Sequence, residues 1–278
     1  MGAISRGWAL TKQSWVVLKN DRSLVIFPIL SAAFATVAVV VIMVPTALVA
    51  GADQNNPGYA VAAVVTIYVS TFIAVFFNVA LAACAARSLR GEDTTIGEGI
   101  SAATRQLGPI LGWTLVAGTV GLVLRILEER FPLAGRIAVW IAGAAWAVAT
   151  FFVIPVIALE GTGPIRSLKR SVAVVRAKWG EGATGQVAIS AVTGLIVFGL
   201  VLVGGAAGYA LVAVGLAPVA FAVGAVAVAA VIVVAVVSSA LNSIFRVAVY
   251  EYAATGQAPA AFDPALVQSA FGPRGRRA

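Results

Sequence analysis

The sequence predicts an all-α fold: a polytopic membrane helical bundle of six transmembrane helices, arranged as three hairpins with amphipathic helices on the cytoplasmic side. Three observations predict it. The 278 residues are 61% hydrophobic and 11% charged, with a mean hydropathy of +1.00. Soluble domains run about 45–50% apolar and about 25% charged. Long uncharged runs recur, each near the roughly 20 residues that cross about 30 Å of hydrocarbon. The basic residues alternate between loops in the way a membrane protein sorts its charge.

Taken in order, residues 1–23 precede the first long apolar run and hold Trp8, Lys12, Trp15 and Lys19. Ile4, Trp8, Trp15 and Leu18 share one helical face, with Leu10 and Val17 opposite. Trp and Lys together suit the headgroup zone, so this segment reads as an interfacial helix. Leu24–Ala50 carries 27 uncharged residues, far more than the 7–15 of a signal-peptide core. It therefore reads as a retained span, with Pro28 and Pro45 inside it. A polar break at Asp53–Gly58 leads to a second span, Tyr59–Ala86. The third span, Pro109–Leu124, is short. The fourth is Ile137–Leu159, with Pro155 near its end. Gly182–Phe245 is 64 residues without a charge, too long for one crossing and suited to two. Its turn-like point is Gly215-Leu216-Ala217-Pro218, which divides it into spans near Thr184–Val214 and Val219–Phe245. Residues 246–278 form a tail with a short helix, entered through Phe262-Asp263-Pro264, where Asp263 suits an N-cap and Phe262 could staple onto Val267. The whole chain reads as one integral membrane domain.

Charge then orients the spans. Sixteen of the nineteen Lys and Arg lie on the side of the termini and even-to-odd connections, and three (Arg125, Arg130, Arg136) lie opposite. The positive-inside rule expects both termini in the cytoplasm of a cell-membrane protein. The net charge of +8 is thus a topology signal, and nucleic acid is not an expected partner.

The cytoplasmic connections share a pattern in which an even-numbered span ends, the chain turns at a glycine, and a short helix opens. After Arg90-Gly91, Thr95 and Glu98 have capping-box spacing, and Ile96, Ile100, Ala103 and Leu107 form a stripe. After Glu160-Gly161-Thr162-Gly163, Pro164 suits a first helical turn. Ile165, Leu168, Val172, Val175 and Trp179 form the next stripe, with Arg166 and Arg170 turned away. Thr255-Gly256 opens the third instance.

Several reactive chemistries are excluded. With no histidine, His-based acid–base catalysis and most zinc and haem sites are ruled out. The single cysteine, Cys84, lies in an apolar stretch and reads as a small buried hydrophobe. No nucleotide-binding glycine loop is present. No Asp or Glu lies within the six spans, which argues against proton- or sodium-coupled transport. No catalytic residue, cofactor or metal site is expected.

The candidate sites are polar residues near or within the spans. Asn78 and Asn242 are intramembrane amides that must face protein or water, either as interhelical glue or lining a path. Arg125, Glu128, Glu129 and Arg130 form an external charged cluster, readable as surface ion pairs or as a solute-binding mouth. Arg166, Lys169, Arg170, Arg176 and Arg246 are candidate headgroup contacts. For Arg246 a sharper alternative is an ion pair with Glu160 or Glu251.

The segments Arg6-Gly7-Trp8, Phe151-Phe152-Val153-Ile154-Pro155, Glu160-Gly161-Thr162-Gly163-Pro164-Ile165, Lys178-Trp179-Gly180-Glu181 and Tyr250-Glu251-Tyr252-Ala253 resemble a family of prokaryotic integral membrane proteins of unknown function, over essentially the whole chain. The middle segment more distantly resembles the membrane domain that precedes some glycerophosphodiester phosphodiesterases, whose chemistry lies in a separate soluble domain. Neither resemblance implies a catalytic residue here. The expectation is a non-enzymatic protein that organises lipid or partner proteins at the inner face. The alternative is an uncoupled transporter or channel for a small solute or lipid. Expected partners are the bilayer with its anionic lipid, and another membrane protein or a second copy of the chain.

Overall fold

A computed structural model describes residues 3–51, 56–130 and 134–262, with side chains described within these ranges except at 3–11, 134–136, 177–189 and 191. The reading of Asp263, Pro264 and Val267 falls outside them. The described residues are helical and contain no strand. Among the described residues six helical segments are long and apolar enough to cross a membrane. The helices are α1 (Ala3–Asn20), α2 (Ile26–Ala50), α3 (Pro57–Leu89), α4 (Ile96–Arg105), α5 (Leu107–Arg130), α6 (Ala134–Ala149), α7 (Val153–Glu160), α8 (Pro164–Ala213) and α9 (Ala217–Thr255).

Local signals set most boundaries. Asp21 caps the 3₁₀ turn Arg22–Val25 that leads into α2, accepting from the Ser23 amide at 3.1 Å. Asn56 caps α3 through the Gly58 amide at 2.9 Å, and Pro57 occupies the first turn, where its missing N–H costs nothing. Both halves of the capping box at α4 are present: Glu98 accepts from the Thr95 amide at 2.9 Å, and Thr95 accepts from the Glu98 amide at 3.3 Å. Gly91, Gly161 and Gly256 all have positive φ. At Gly161 (φ 63°) this left-handed geometry ends α7, with the amide bonded back to the Ile157 carbonyl. The turn expected at Gly215–Pro218 separates α8 from α9.

Four elements depart from the sequence reading, the first being the sixth span, whose helix α9 runs on to Thr255, ten residues past Phe245 and into the expected tail. The third span extends past both expected ends, because α5 continues through its charged last turn to Arg130. The fifth span does not start anew near Thr184. It continues an unbroken α8 of 50 residues that begins at Pro164. Gly180 and Gly182 each cost only about 1 kcal/mol within a helix, which does not end one without a cap or a proline. The fourth span, by contrast, is broken: α6 stops at Ala149 and α7 starts at Val153. Pro155 explains the break, since it has no N–H for the Phe151 carbonyl and its ring would strike that carbonyl in a continuous helix.

Packing is uneven along the bundle. The core sits at the end that carries most of the charge, around Leu24, Phe27, Leu81, Leu89, Ile110, Val156, Ile157, Ile244 and Phe245, all 1% exposed or less. Helix α3 runs through it and packs on α2, α4, α5, α7 and α9. Small residues allow this approach: Ala80, Ala82, Ala85 and Ala86 are fully buried. At the opposite end large side chains point outward, including Leu48 at 80%, Tyr209 at 80% and Phe221 at 81% exposed. Lipid tails are as apolar as these side chains, so nothing drives them inward. Gly204 lets α8 and α9 approach there, since a Cβ on it would lie 2.7 Å from that of Ala227.

The buried faces of the short helices differ in detail from the expected stripes. In α4, Gly99 and Ala103 are buried while Ile100 is exposed. In α8, Ser167, Ser171, Val174 and Val175 are buried while Ile165 is half exposed. In α1, Ser14, Val17 and Leu18 are buried and Trp15 is exposed.

Candidate functional site

The polar stripe of α9 recurs with helical spacing: Ser239, then Asn242 and Ser243, then Arg246. Residues spaced by three, four and seven share a helical face. A half-open cavity of about 420 Å³ lies on this face, bordered by α3, α7, α8 and α9. Its polar lining includes Asn78, Thr193, Ser239, Asn242, Ser243 and Arg246. A neighbouring cavity of about 250 Å³ between α2, α3 and α9 shares Asn78 and Ser239. The two amides expected to need partners, 164 positions apart in sequence, therefore line one cavity.

Each wall is held by identifiable contacts. Asn78 donates from Nδ2 to the Ala74 carbonyl of its own helix at 2.8 Å. Thr193 and Ser238 share a hydroxyl–hydroxyl hydrogen bond of 2.8 Å that ties α8 to α9. The α7 wall is Ile154 and Pro155, just past the helix break. Irregular backbone at membrane depth is tolerated only where protein buries it or it lines a cavity, and Phe151 and Phe152 are 7% and 3% exposed.

Ser171 repairs that break. In a continuous helix the Phe152 amide would bond the Val148 carbonyl, and the Val153 amide would bond that of Ala149. Here Phe151 takes Val148 and Val153 takes Thr150. The Ser171 hydroxyl accepts from the Phe152 amide at 3.0 Å and donates to the Ala149 carbonyl at 2.7 Å. One buried side chain thus satisfies both orphaned groups. Ser167, one turn earlier, donates to the Thr162 carbonyl at 2.9 Å. Sequence reasoning missed both serines. Their spacing of four residues, facing away from Arg166 and Lys169, was the available signal.

Arg246 projects into the cavity region rather than to the open surface. Its guanidinium carbon lies 4.9 Å from the centroid of the Phe151 ring, a cation–π arrangement. Its Nε is buried without a hydrogen-bond partner. The two carboxylates considered for it are engaged elsewhere. Glu160 pairs with Arg170 at 3.1 Å and accepts from the Tyr250 hydroxyl. Glu251 pairs with Arg90 at 3.1 Å.

These pairs belong to a polar belt at the charged end. Arg87 bonds Glu92 and Glu98, each at 2.8 Å, and Arg90 also reaches Glu92 at 3.2 Å. The Arg87 guanidinium, followed by the Thr95 amide and hydroxyl, draws the Glu98 carboxyl down to about 2. Glu92 is lowered by its bonds to Arg87 and Arg90. Arg170 is raised by its interaction with Tyr250 and then by Glu160. Asp21 accepts from Thr94 and Ser23, joining the α2 entry to the α3–α4 turn.

Of the other candidate residues, Arg166, Lys169 and Arg176 are exposed on α8. Arg125 pairs with Glu129 at 3.1 Å, both side chains being 65% exposed, while Glu128 and Arg130 are exposed beside them. This cluster does not adjoin the cavity. Cys84 is buried at 1% exposure. Among the described residues no group of His, Cys, Asp or Glu could hold a metal ion.

No curated protein and no solved structure matches the chain. Residues 57–260, which contain the cavity, the helix break and most of the polar belt, match the model of a family of unknown function, DUF6159. With most of its length covered by that match, the chain belongs to this family of unknown function.

Proposed function

We propose that this is a non-enzymatic, multi-pass protein of the cell membrane that organises lipid or partner proteins at the inner face. In this reading both termini and the charged end face the cytoplasm, following the sixteen-to-three division of basic residues. The spans form three hairpins, with α1, α4 and the first part of α8 at the interface. The observation that carries the proposal is the basic edge of α8. Arg166, Lys169 and Arg176 are exposed, while Ser167, Ser171, Val174 and Val175 on the same helix are buried. Each basic side chain near an anionic membrane surface contributes about 1 kcal/mol of attraction. Replacing all three with Gln is expected to reduce anionic lipid retained through purification, with the folded yield preserved. Unchanged retention would count against the proposal.

A second reading, an uncoupled transporter or channel for a small solute or lipid, is favoured by the cavity that reaches Asn78 and Asn242. Liposomes holding purified protein can be assayed for flux of ions, amino acids and labelled lipids. Flux abolished by substitution at Asn78 or Asn242 would replace the first reading with the second.

A further inference from the structure

The Arg246 guanidinium is a fixed positive charge in a partly desolvated place, and its surroundings do not neutralise it. Among the described residues no Asp or Glu lines the cavity. The two carboxylates the sequence offered, Glu160 and Glu251, are committed to Arg170 and Arg90. The Phe151 ring covers one face of the guanidinium, which stabilises a cation by about 0.5–2 kcal/mol. That is small against the several kcal/mol that burial of an unpaired ion costs. The Nε–H, buried with no acceptor, makes the deficit specific in direction as well as charge. Beside it, within one or two helical turns, lie the Ser243 and Ser239 hydroxyls and the Asn242 amide. A cation with hydroxyl and amide groups beside it and no carboxylate is the composition of an oxyanion site, because Arg presents paired N–H donors that match phosphate oxygens. The volume of about 420 Å³ falls within the range of small-molecule sites.

We propose that this cavity binds a phosphate oxyanion, with Arg246 as its counter-ion and Ser239, Asn242 and Ser243 as neighbouring polar contacts. The ligand is either the phosphate of an anionic lipid headgroup or free phosphate. The proposal does not depend on the basic edge of α8, which is a separate surface. It deepens the lipid reading only if the lipid is the source.

The test is thermal unfolding of the full chain in a nonionic detergent at constant ionic strength, titrated separately with inorganic phosphate, short-chain phosphatidylglycerol and uncharged monoacylglycerol. One of the two anionic ligands is expected to raise the melting temperature saturably, and monoacylglycerol is not. Arg246→Gln should weaken that affinity at least tenfold, and Arg246→Lys should weaken it less. Ser239→Val keeps the charge but narrows the cavity and removes a hydroxyl, so it keeps the test decisive if the Arg246 variants do not fold. It too should weaken binding. A response to phosphatidylglycerol alone identifies a lipid site, and a response to inorganic phosphate identifies a solute site while leaving the lipid reading without support from this cavity. No saturable shift with either anion, or affinity unchanged in Arg246→Gln or in Ser239→Val, overturns the proposal.

Discussion

Replacing Ser171 with Ala should destabilise the protein by about 2–3 kcal/mol, a large effect for the loss of one oxygen atom. The hydroxyl is fully buried and bridges the Phe152 amide and the Ala149 carbonyl across the gap between α6 and α7. Removing it orphans both backbone groups where Phe152 is only 3% exposed. Each buried, unsatisfied group costs about 1–3 kcal/mol. Interhelical hydrogen bonds in membranes average about 0.6 kcal/mol with a maximum near 1.7, because alternative partners are found. Two groups that have lost their helical partners place the sum between these limits. The assay is reversible unfolding in mixed micelles, in the wild-type and Pro155→Ala backgrounds. Pro155→Ala restores an N–H and removes the ring clash, so α6 and α7 can join and the repair becomes unnecessary. The cost of Ser171→Ala should then fall to about 1 kcal/mol or less. A loss below about 0.6 kcal/mol in the wild-type background, or equal losses in both, would refute the bridging role.

Three further outcomes follow from particular contacts. The Glu98 carboxyl is held at about 2, against an ordinary value of 4.5. Its stabilising contribution is therefore present above about pH 4.5 and lost as pH falls towards 2. Glu98→Gln should flatten the melting temperature in that window, and an unaltered profile would show that the Arg87 contact does not matter to folding. In Gly99→Ala the new Cβ would strike the buried Phe27 ring and lie 2.8 Å from the Cys84 Sγ. Overpacking of this kind costs about 1–3 kcal/mol. The rate at which Cys84, the single cysteine, reacts with a thiol probe should rise, while Gly97→Ala, facing open space, should leave it unchanged or slower. Arg125→Ala should change stability by less than about 1 kcal/mol, since its ion pair with Glu129 is largely exposed. A larger loss on thermal unfolding would mean the external cluster has a structural role.

What could be read in the sequence was set by rules that act over a few residues. Run length marked six spans because the bilayer has a fixed thickness. Thr95 and Glu98 marked the start of α4 because a capping box closes within one turn. Gly91, Gly161 and Gly256 marked turns because left-handed backbone is costly with a Cβ. Pro155 was visible near the end of the fourth span, but the break it causes falls upstream of it, at the carbonyl its ring would meet. The tertiary structure decided which polar groups meet. Helices that are apolar on every side carry no moment to say which face turns inward. The stripe Ser239, Asn242, Ser243 and Arg246 did mark a polar face of α9, but the rotation of α3 that brings Asn78 to the same cavity was not legible. Whether Arg246 paired with Glu160, Glu251 or neither depended on competitors, Arg170 and Tyr250 for one and Arg90 for the other, supplied by distant parts of the chain. The same is true of Ser171, whose role exists only because α8 passes the gap between α6 and α7. Composition and local pattern thus determined a basic, helical chain with six segments long and apolar enough to cross a membrane. Long-range packing alone placed Arg246 in a polar cavity with no carboxylate among its described lining, because Glu160 and Glu251 pair with Arg170 and Arg90 instead.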